Sequence, residues 1–171
     1  MSASAKTASV RKQTTSMLSD ALEHYIDPYN DQRIYWAKEV TFDYASAHMV
    51  RVDYMRFAPL NNSVSGIEKG DFFCYEIKSS VEDFNSHNGH NMLGDFNYYV
   101  MTQDVFDQVK ERIPAAVGVL CPSGDGSLKS VKKGFRQNRT RSMAEMLLMM
   151  WRSSRREIVK IRKAAHDSSE I

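Results

Sequence analysis

The sequence is poor in the residues and runs that mark several classes of protein. Only two of its 171 residues are cysteines, Cys74 and Cys121, each inside an apolar run, and their separation excludes a Cys-x-x-Cys zinc site. We expect both to be buried, reduced thiols, as in a cytoplasmic protein. The densest apolar window falls well short of the ~20 residues of a membrane-spanning helix. The first 19 residues contain no acid and lack the apolar stretch of a signal peptide.

The composition is that of a folded domain. Apolar residues make up 42% of the chain and aromatic residues 11%, enough to bury a core. A chain of this length predicts one domain. We expect a flexible N-terminal tail at residues 1–9, a core domain at 10–128, and a basic arm with a C-terminal helix at 129–171 packed on that core.

Positive charge is concentrated near the C-terminal end. The net charge is only +2, yet the segment 129–163 holds twelve Lys or Arg and two acids. Such a block predicts a polyanion partner, although a solvated helix face is the alternative. We expect five residues of the basic arm to contact a DNA backbone: Lys132, Lys133, Arg136, Arg139 and Arg141. The other interpretation of this segment is a plain solvated linker.

The periodicity of the chain predicts an α/β fold with a mixed sheet, in the order α-β-β-β-α-β-α-β, then a possible edge strand and a long C-terminal helix. Three successive strands with short connections predict an antiparallel meander, and a later strand–helix–strand unit predicts a parallel crossover. The predicted strands are 40–44, 50–57, 72–78, 96–101 and 116–121, with an edge strand at 128–131. The predicted helices cover 10–25, a short segment after Ser80, a segment from Thr102 to Ile113, and the region after Ser142.

One predicted strand carries a carboxylate and an ammonium in an aromatic run. Glu76 and Lys78 are two residues apart and therefore point to the same face. If the preceding strand pairs with this one, Asp53 lies beside them. Two carboxylates suit Mg²⁺ or Mn²⁺, and a neighbouring lysine can act on an attacking water. The alternatives are an ion pair on an edge strand for Glu76 and Lys78, and pairing of Asp53 with a nearby arginine.

These residues resemble a known family. The segments Arg51-Val-Asp53 and Tyr75-Glu-Ile-Lys78-Ser-Ser80-x-x-Asp83-Phe84 are similar to the PD-(D/E)XK nuclease-like superfamily, and within it to MmcB-type DNA repair proteins and their phage relatives. The resemblance covers roughly residues 39–121. It implies a restriction-endonuclease-like fold and metal-dependent DNA cleavage, with Asp53 and Glu76 as metal ligands and Lys78 acting on water. Many members of the superfamily carry a further catalytic glutamate on the first helix. In this sequence Glu23 on the first helix and Glu39 at the first strand are the two candidates for that role, and we favour Glu39.

The sequence therefore predicts a Mg²⁺- or Mn²⁺-dependent DNA endonuclease of repair, recombination or phage DNA metabolism, in the cytoplasm of a bacterial cell or phage-infected host. The alternative is a catalytically inactive nucleic-acid-binding or assembly protein with the same fold, and an RNA nuclease is a third option. Two histidines, His87 and His90, predict a loop over the mouth of the site. A methionine stripe on the last helix (Met143, Met146, Met150) predicts core packing or a homodimer seam.

Overall fold

A single mixed sheet of six strands with helices packed against it forms the frame of the molecule. The structure is a computed structural model that describes residues 3–86 and 88–169, with the side chains of 10–86 and 88–167. Its elements are α1 (Ala3–Ile26), β1 (Tyr35–Phe42), β2 (Val50–Ala58), α2 (Val64–Glu68), β3 (Asp71–Lys78), α3 (Val81–Asn85), β4 (Phe96–Met101), α4 (Gln103–Val109), β5 (Gly118–Pro122), β6 (Leu128–Lys132) and α5 (Met143–Ser169). The predicted α/β class is confirmed.

The strands follow one another across the sheet in the order β1-β2-β3-β4-β5-β6. The first three are antiparallel, which confirms the meander, and β4 and β5 are parallel around α4, which confirms the crossover. A second parallel pair joins β3 to β4. Because β3 has a partner on each side, the edge-strand alternative for its charged residues is excluded.

The two faces of β3 have different partners. Cys74 packs in the cluster beneath α5, whereas Tyr75 and Ile77 pack in the cluster beneath α1. Glu76 and Lys78 follow the alternation and lie on the face of Cys74, both almost fully buried. Cys74 and Cys121 are buried free thiols, as expected.

Several boundaries differ from the prediction. Helix α1 begins at Ala3 rather than residue 10, so most of the expected tail is helical, and residues 1–2 lie outside the described part. Strand β1 begins at Tyr35, before the alternating segment that predicted it. The expected loop 61–70 contains α2, because the hydroxyl of Ser63 accepts a hydrogen bond from the amide of Gly66 and caps the helix. Helix α4 ends at Val109 and is followed by a 3₁₀ turn.

Helix α5 packs on the sheet with only part of its predicted stripe. Met146 and Met150 are buried against the strands. Further along, Trp151, Ile158 and Ile161 are 67%, 41% and 67% exposed, so the core ends about halfway along the helix. Within the described residues, none of the helices combines the length and hydropathy that crossing a membrane requires.

Candidate active site

The site lies where β2 and β3 separate. Their backbone ladder ends at the pair Tyr54–Tyr75, whereas β3 continues to pair with β4 as far as Lys78. Beyond the ladder, a carboxylate oxygen of Asp53 accepts a hydrogen bond of 2.9 Å from the amide of Ile77. Asp53 thus satisfies a backbone donor that a strand neighbour no longer reaches. The divergence of the two strands opens a cleft between them.

Asp53, Glu76 and Lys78 line this one cleft, which has a volume of about 790 Å³. Glu76 and Lys78 are each only 2% exposed. The Oε1 atom of Glu76 is buried and no N–H or O–H of the described residues donates to it, so the carboxyl of Asp53 is the partner of a protonated Glu76. Among the described residues, no carboxylate oxygen lies within 4.0 Å of the Lys78 ammonium, so the pair is not a simple ion pair. The three residues thus lie together in one cleft, as the sequence predicted. Their roles stay predictions.

Burial dominates the electrostatics of the cleft. Burial, followed by the nearby charge of Asp53, raises the pKa of Glu76 to about 9. Burial also raises the pKa of Asp53, against the lowering effect of the Ile77 amide. The pKa of Lys78 is lowered by burial, which favours the neutral amine over the ammonium. Burial thus opposes the charged form of all three groups, and shifted pKa values in a cleft are typical of catalytic sites.

The segment after α3 covers Glu76 and Lys78. Its Asn88 carbonyl accepts a hydrogen bond of 2.6 Å from the Lys78 Nζ. Gly89 has a φ of +66°, and a Cβ there would lie 2.8 Å from Glu76 Oε2 and 2.9 Å from Lys78 Nζ. Only glycine fits both the left-handed backbone and this close approach. At the far side of the cleft, the Asn91 amide donates to the carbonyl of Arg51 at 3.1 Å and joins the segment to β2.

His90 holds this segment on the sheet. Its Nδ1 lies 2.6 Å from the Tyr99 hydroxyl of β4, and its Nε2 lies 2.9 Å from the carbonyl of Phe84. The carbonyl can only accept, so Nε2 carries the proton and Nδ1 accepts from the tyrosine. The prediction of a loop at the mouth of the site is confirmed for His90, which anchors it. His87 lies outside the described residues.

Of the two competing glutamates, Glu39 lines the cleft. Its carboxylate is about half exposed and lies 3.6 Å from Lys160 and 4.0 Å from Arg51. Glu23 is engaged elsewhere, accepting hydrogen bonds from the Tyr54 hydroxyl at 2.8 Å and from Lys38 at 3.2 Å. The position favours Glu39 over Glu23, and a catalytic part for Glu39 stays a prediction.

Two carboxylates suit a hard divalent ion. The charge of Asp53 raises the pKa of Glu76, and a cation between the two carboxyl groups would relieve that repulsion. Among the described residues, no cluster of three or more His, Cys, Asp or Glu is placed to hold a metal, so the site does not fit a closed all-protein metal centre. Mg²⁺ and Mn²⁺ can bind through one or two carboxylates and keep several waters, and such an ion at Asp53 and Glu76 stays a prediction.

Comparisons with protein-family models, with curated proteins and with solved structures each gave no match. The resemblance to the PD-(D/E)XK nucleases therefore rests on the sequence motifs and stays a prediction.

Most of the basic arm is used in internal contacts. The Nζ of Lys132 donates to the carbonyls of Pro114, Ala115 and Val117 at 2.9, 2.9 and 2.5 Å. These carbonyls precede β5, so Lys132 fastens the end of β6 to its neighbour. Burial lowers its pKa.

The three arginines of the arm are paired with acids. Arg136 lies 2.6 Å from Asp71, and Arg139 lies 3.4 Å from the buried Asp95 and over the ring of Phe72. Arg141 pairs with Asp43 and lies 2.8 Å from Glu145. Lys133 is exposed. DNA binding by these residues stays a prediction, and their pairing argues that they hold the arm against the sheet.

Two cleft residues are absent from the sequence prediction. Arg156 of α5 lines the cleft and donates a hydrogen bond of 2.6 Å to the carbonyl of Glu39. Tyr44, in the connection between β1 and β2, lines the rim and is 78% exposed. Nothing in the local sequence marks Arg156, since its place depends on how α5 crosses β1. The sequence placed Tyr44 inside the first strand, 40–44, whereas β1 ends at Phe42, so no local signal marked Tyr44 as a rim residue.

Proposed function

We propose that this protein is a metal-dependent deoxyribonuclease with a restriction-endonuclease-like core, acting in DNA repair, recombination or phage DNA metabolism. One observation carries the proposal: Asp53, Glu76 and Lys78 meet in one cleft, where the buried carboxyl group of Glu76 lies beside the half-buried one of Asp53 and next to a lysine. Burying two carboxyl groups together costs stability unless a proton or a cation lies between them, and a divalent cation would fill that place.

In this proposal the three residues have separate tasks. Asp53 and Glu76 would hold Mg²⁺ or Mn²⁺, and the ion would supply Lewis-acid charge to the scissile phosphate. Lys78, held by Asn88 and with a lowered pKa, accepts a proton from the attacking water. The water oxygen bonds to phosphorus, one ester bond breaks, and solvent protonates the leaving oxygen.

The test is cleavage of supercoiled, forked and single-stranded DNA with Mg²⁺ or Mn²⁺. We expect Asp53→Asn, Glu76→Gln and Lys78→Met each to lower the rate at least 100-fold, on the order seen when a general base or a charge-stabilising group is lost. The matched control is Glu111→Gln, which changes an exposed glutamate. Equal cleavage by the wild type and the three variants, or no cleavage by any of them, refutes the proposal.

A second candidate is a nucleic-acid-binding protein that keeps this fold without catalysis. The specific observation in its favour is the cover over the site: Gly89 packs on both Glu76 and Lys78, each 2% exposed. This candidate predicts salt-dependent DNA binding in EDTA, unchanged by Asp53→Asn, with no cleavage in any divalent cation.

A further inference from the structure

The second half of α5 leaves the body of the protein. Ser153 is the last buried residue of the helix, and every position from Ile158 to Asp167 is exposed. At 1.5 Å per residue, these ten positions extend about 15 Å. A helix that packed only for stability would bury a stripe along this length.

This half of α5 is strongly basic, and its charge is largely unpaired. It contains two acids, Glu157 and Asp167, and six cations: Arg152, Arg155, Arg156, Lys160, Arg162 and Lys163. At 100° per residue the six cations occupy an arc of about 160° on one side of the helix. Among the described residues, no carboxylate lies within 4.0 Å of any of these cations except Lys160. The arginines of the basic arm, in contrast, are each paired with an acid.

The basic side of α5 is continuous with the carboxylate cleft. Arg156 lines the cleft, and Lys160 lies 3.6 Å from Glu39 at its edge. Trp151, five residues before Arg156, is 67% exposed and forms a shallow depression with Arg152 and Arg155. An exposed aromatic ring between guanidinium groups is a surface on which an unpaired base stacks while the cations hold its phosphates.

We propose that the exposed basic side of α5 binds single-stranded DNA, with a base stacked on Trp151, and leads the strand to the cleft through Arg156. The inference rests on the proposed function for the identity of the ligand, but it concerns binding and not cleavage. An anionic membrane is the competing partner of a basic helix. DNA is favoured because Trp151 lies beside two guanidinium groups and the cations continue to the carboxylate cleft, an arrangement that suits one strand with its bases and phosphates.

The test is fluorescence anisotropy with a labelled oligothymidylate and with a duplex of the same length, in EDTA so that no strand is cut. We expect Arg152→Glu/Arg155→Glu to weaken binding of the single strand at least tenfold and to reduce the salt slope by about 1.4, since each phosphate contact contributes about 0.7. The matched control, Lys110→Glu/Lys129→Glu, has the same net charge and changes two exposed lysines that lie outside α5 and outside the basic-arm residues expected to contact DNA. It should stay within about twofold.

The role of Trp151 is tested separately. We expect Trp151→Ala to weaken binding of the single strand roughly tenfold and Trp151→Phe to retain most of it, because a ring remains for stacking. The duplex should respond less to either change. Circular dichroism melting of each variant identifies losses that come from unfolding.

Three results overturn the inference: no binding by the wild type, equal losses for the α5 and control pairs, or α5-dependent binding to anionic phospholipid vesicles with none to the oligonucleotide. The two proposals fail in different ways. Binding that depends on α5 without any cleavage refutes the nuclease alone, whereas cleavage that tolerates both α5 substitutions refutes only this inference.

Discussion

Replacing Glu76 by glutamine should stabilise the metal-free protein at neutral and alkaline pH. Burial and the charge of Asp53 raise the pKa of Glu76 from 4.5 to about 9. The folded protein therefore binds a proton that the unfolded chain releases above pH ~4.5, so this residue's contribution to stability is complete below that pH. It is lost progressively as the pH rises towards 9. Glutamine has no such titration.

The magnitude follows from the width of that pH window. One pH unit corresponds to about 1.4 kcal/mol, so three units above 4.5, near pH 7.5, correspond to at most about 4 kcal/mol. The glutamine amide places a buried donor near Lys78, which costs about 1–3 kcal/mol. The net gain is about 1–3 kcal/mol, or roughly 3–10 °C in melting temperature for a chain of this size. The two stability curves should cross between about pH 5 and pH 7.

The assay is thermal unfolding of wild type and Glu76→Gln in EDTA across this pH range, followed by circular dichroism. Glu111→Gln, at an exposed position, serves as the control and should follow the wild type at every pH. The difference between Glu76→Gln and wild type must increase with pH, whatever the other groups of the protein do. A constant difference, or one that decreases with pH, refutes the assignment of a protonated carboxyl to Glu76.

Three further predictions concern the cleft and the arm. Mg²⁺ should raise the melting temperature of the wild type more at about pH 8 than at about pH 6, because binding displaces the Glu76 proton, and should leave Glu76→Gln unchanged in a calorimetric scan. Gly89→Ala should lower the free energy of unfolding by about 1–2 kcal/mol and displace the segment that covers the cleft. Gly124→Ala, where a Cβ meets nothing within 4 Å, should leave the free energy of unfolding unchanged, and urea unfolding of both variants measures the difference. Lys132→Met should lower the free energy of unfolding by about 1–3 kcal/mol, because it leaves three backbone carbonyls unpaired. Lys133→Met should stay within ~0.5 kcal/mol of the wild type in the same urea series, and equal effects of the two substitutions contradict the structural role of Lys132.

The sheet was predictable because its signals are local. Alternation over five to nine residues defines β2, β3 and β4, and short connections fix the antiparallel order of the first three strands. The ends of elements were less predictable where tertiary contacts decide them. Strand β1 extends back to Tyr35 because it pairs with Phe57, a residue 22 positions away that no local pattern reveals.

The candidate site was predicted in its centre and not at its edges. Asp53, Glu76 and Lys78 follow from two adjacent strands and the period of a strand. The basic arm shows the limit of counting charges in sequence. Arg136 and Arg139 look like free cations, but Asp71 and Asp95 reach them from 65 and 44 positions away and neutralise them. Among the described residues, the cations of α5 other than Lys160 have no carboxylate within 4.0 Å, and only the folded structure distinguishes them from the paired arginines of the arm.

The energetics of Glu76 and Lys78 argue for a function of this strand even before any activity is measured. A central strand with apolar residues at both positions would avoid the desolvation of two ionisable groups. Here both groups are 2% exposed, no carboxylate oxygen lies within 4.0 Å of the Lys78 ammonium among the described residues, and the carboxyl of Glu76 is buried beside that of Asp53. Stability alone does not explain this arrangement, because each feature lowers it at neutral pH. A cation and a phosphate would account for all three features together.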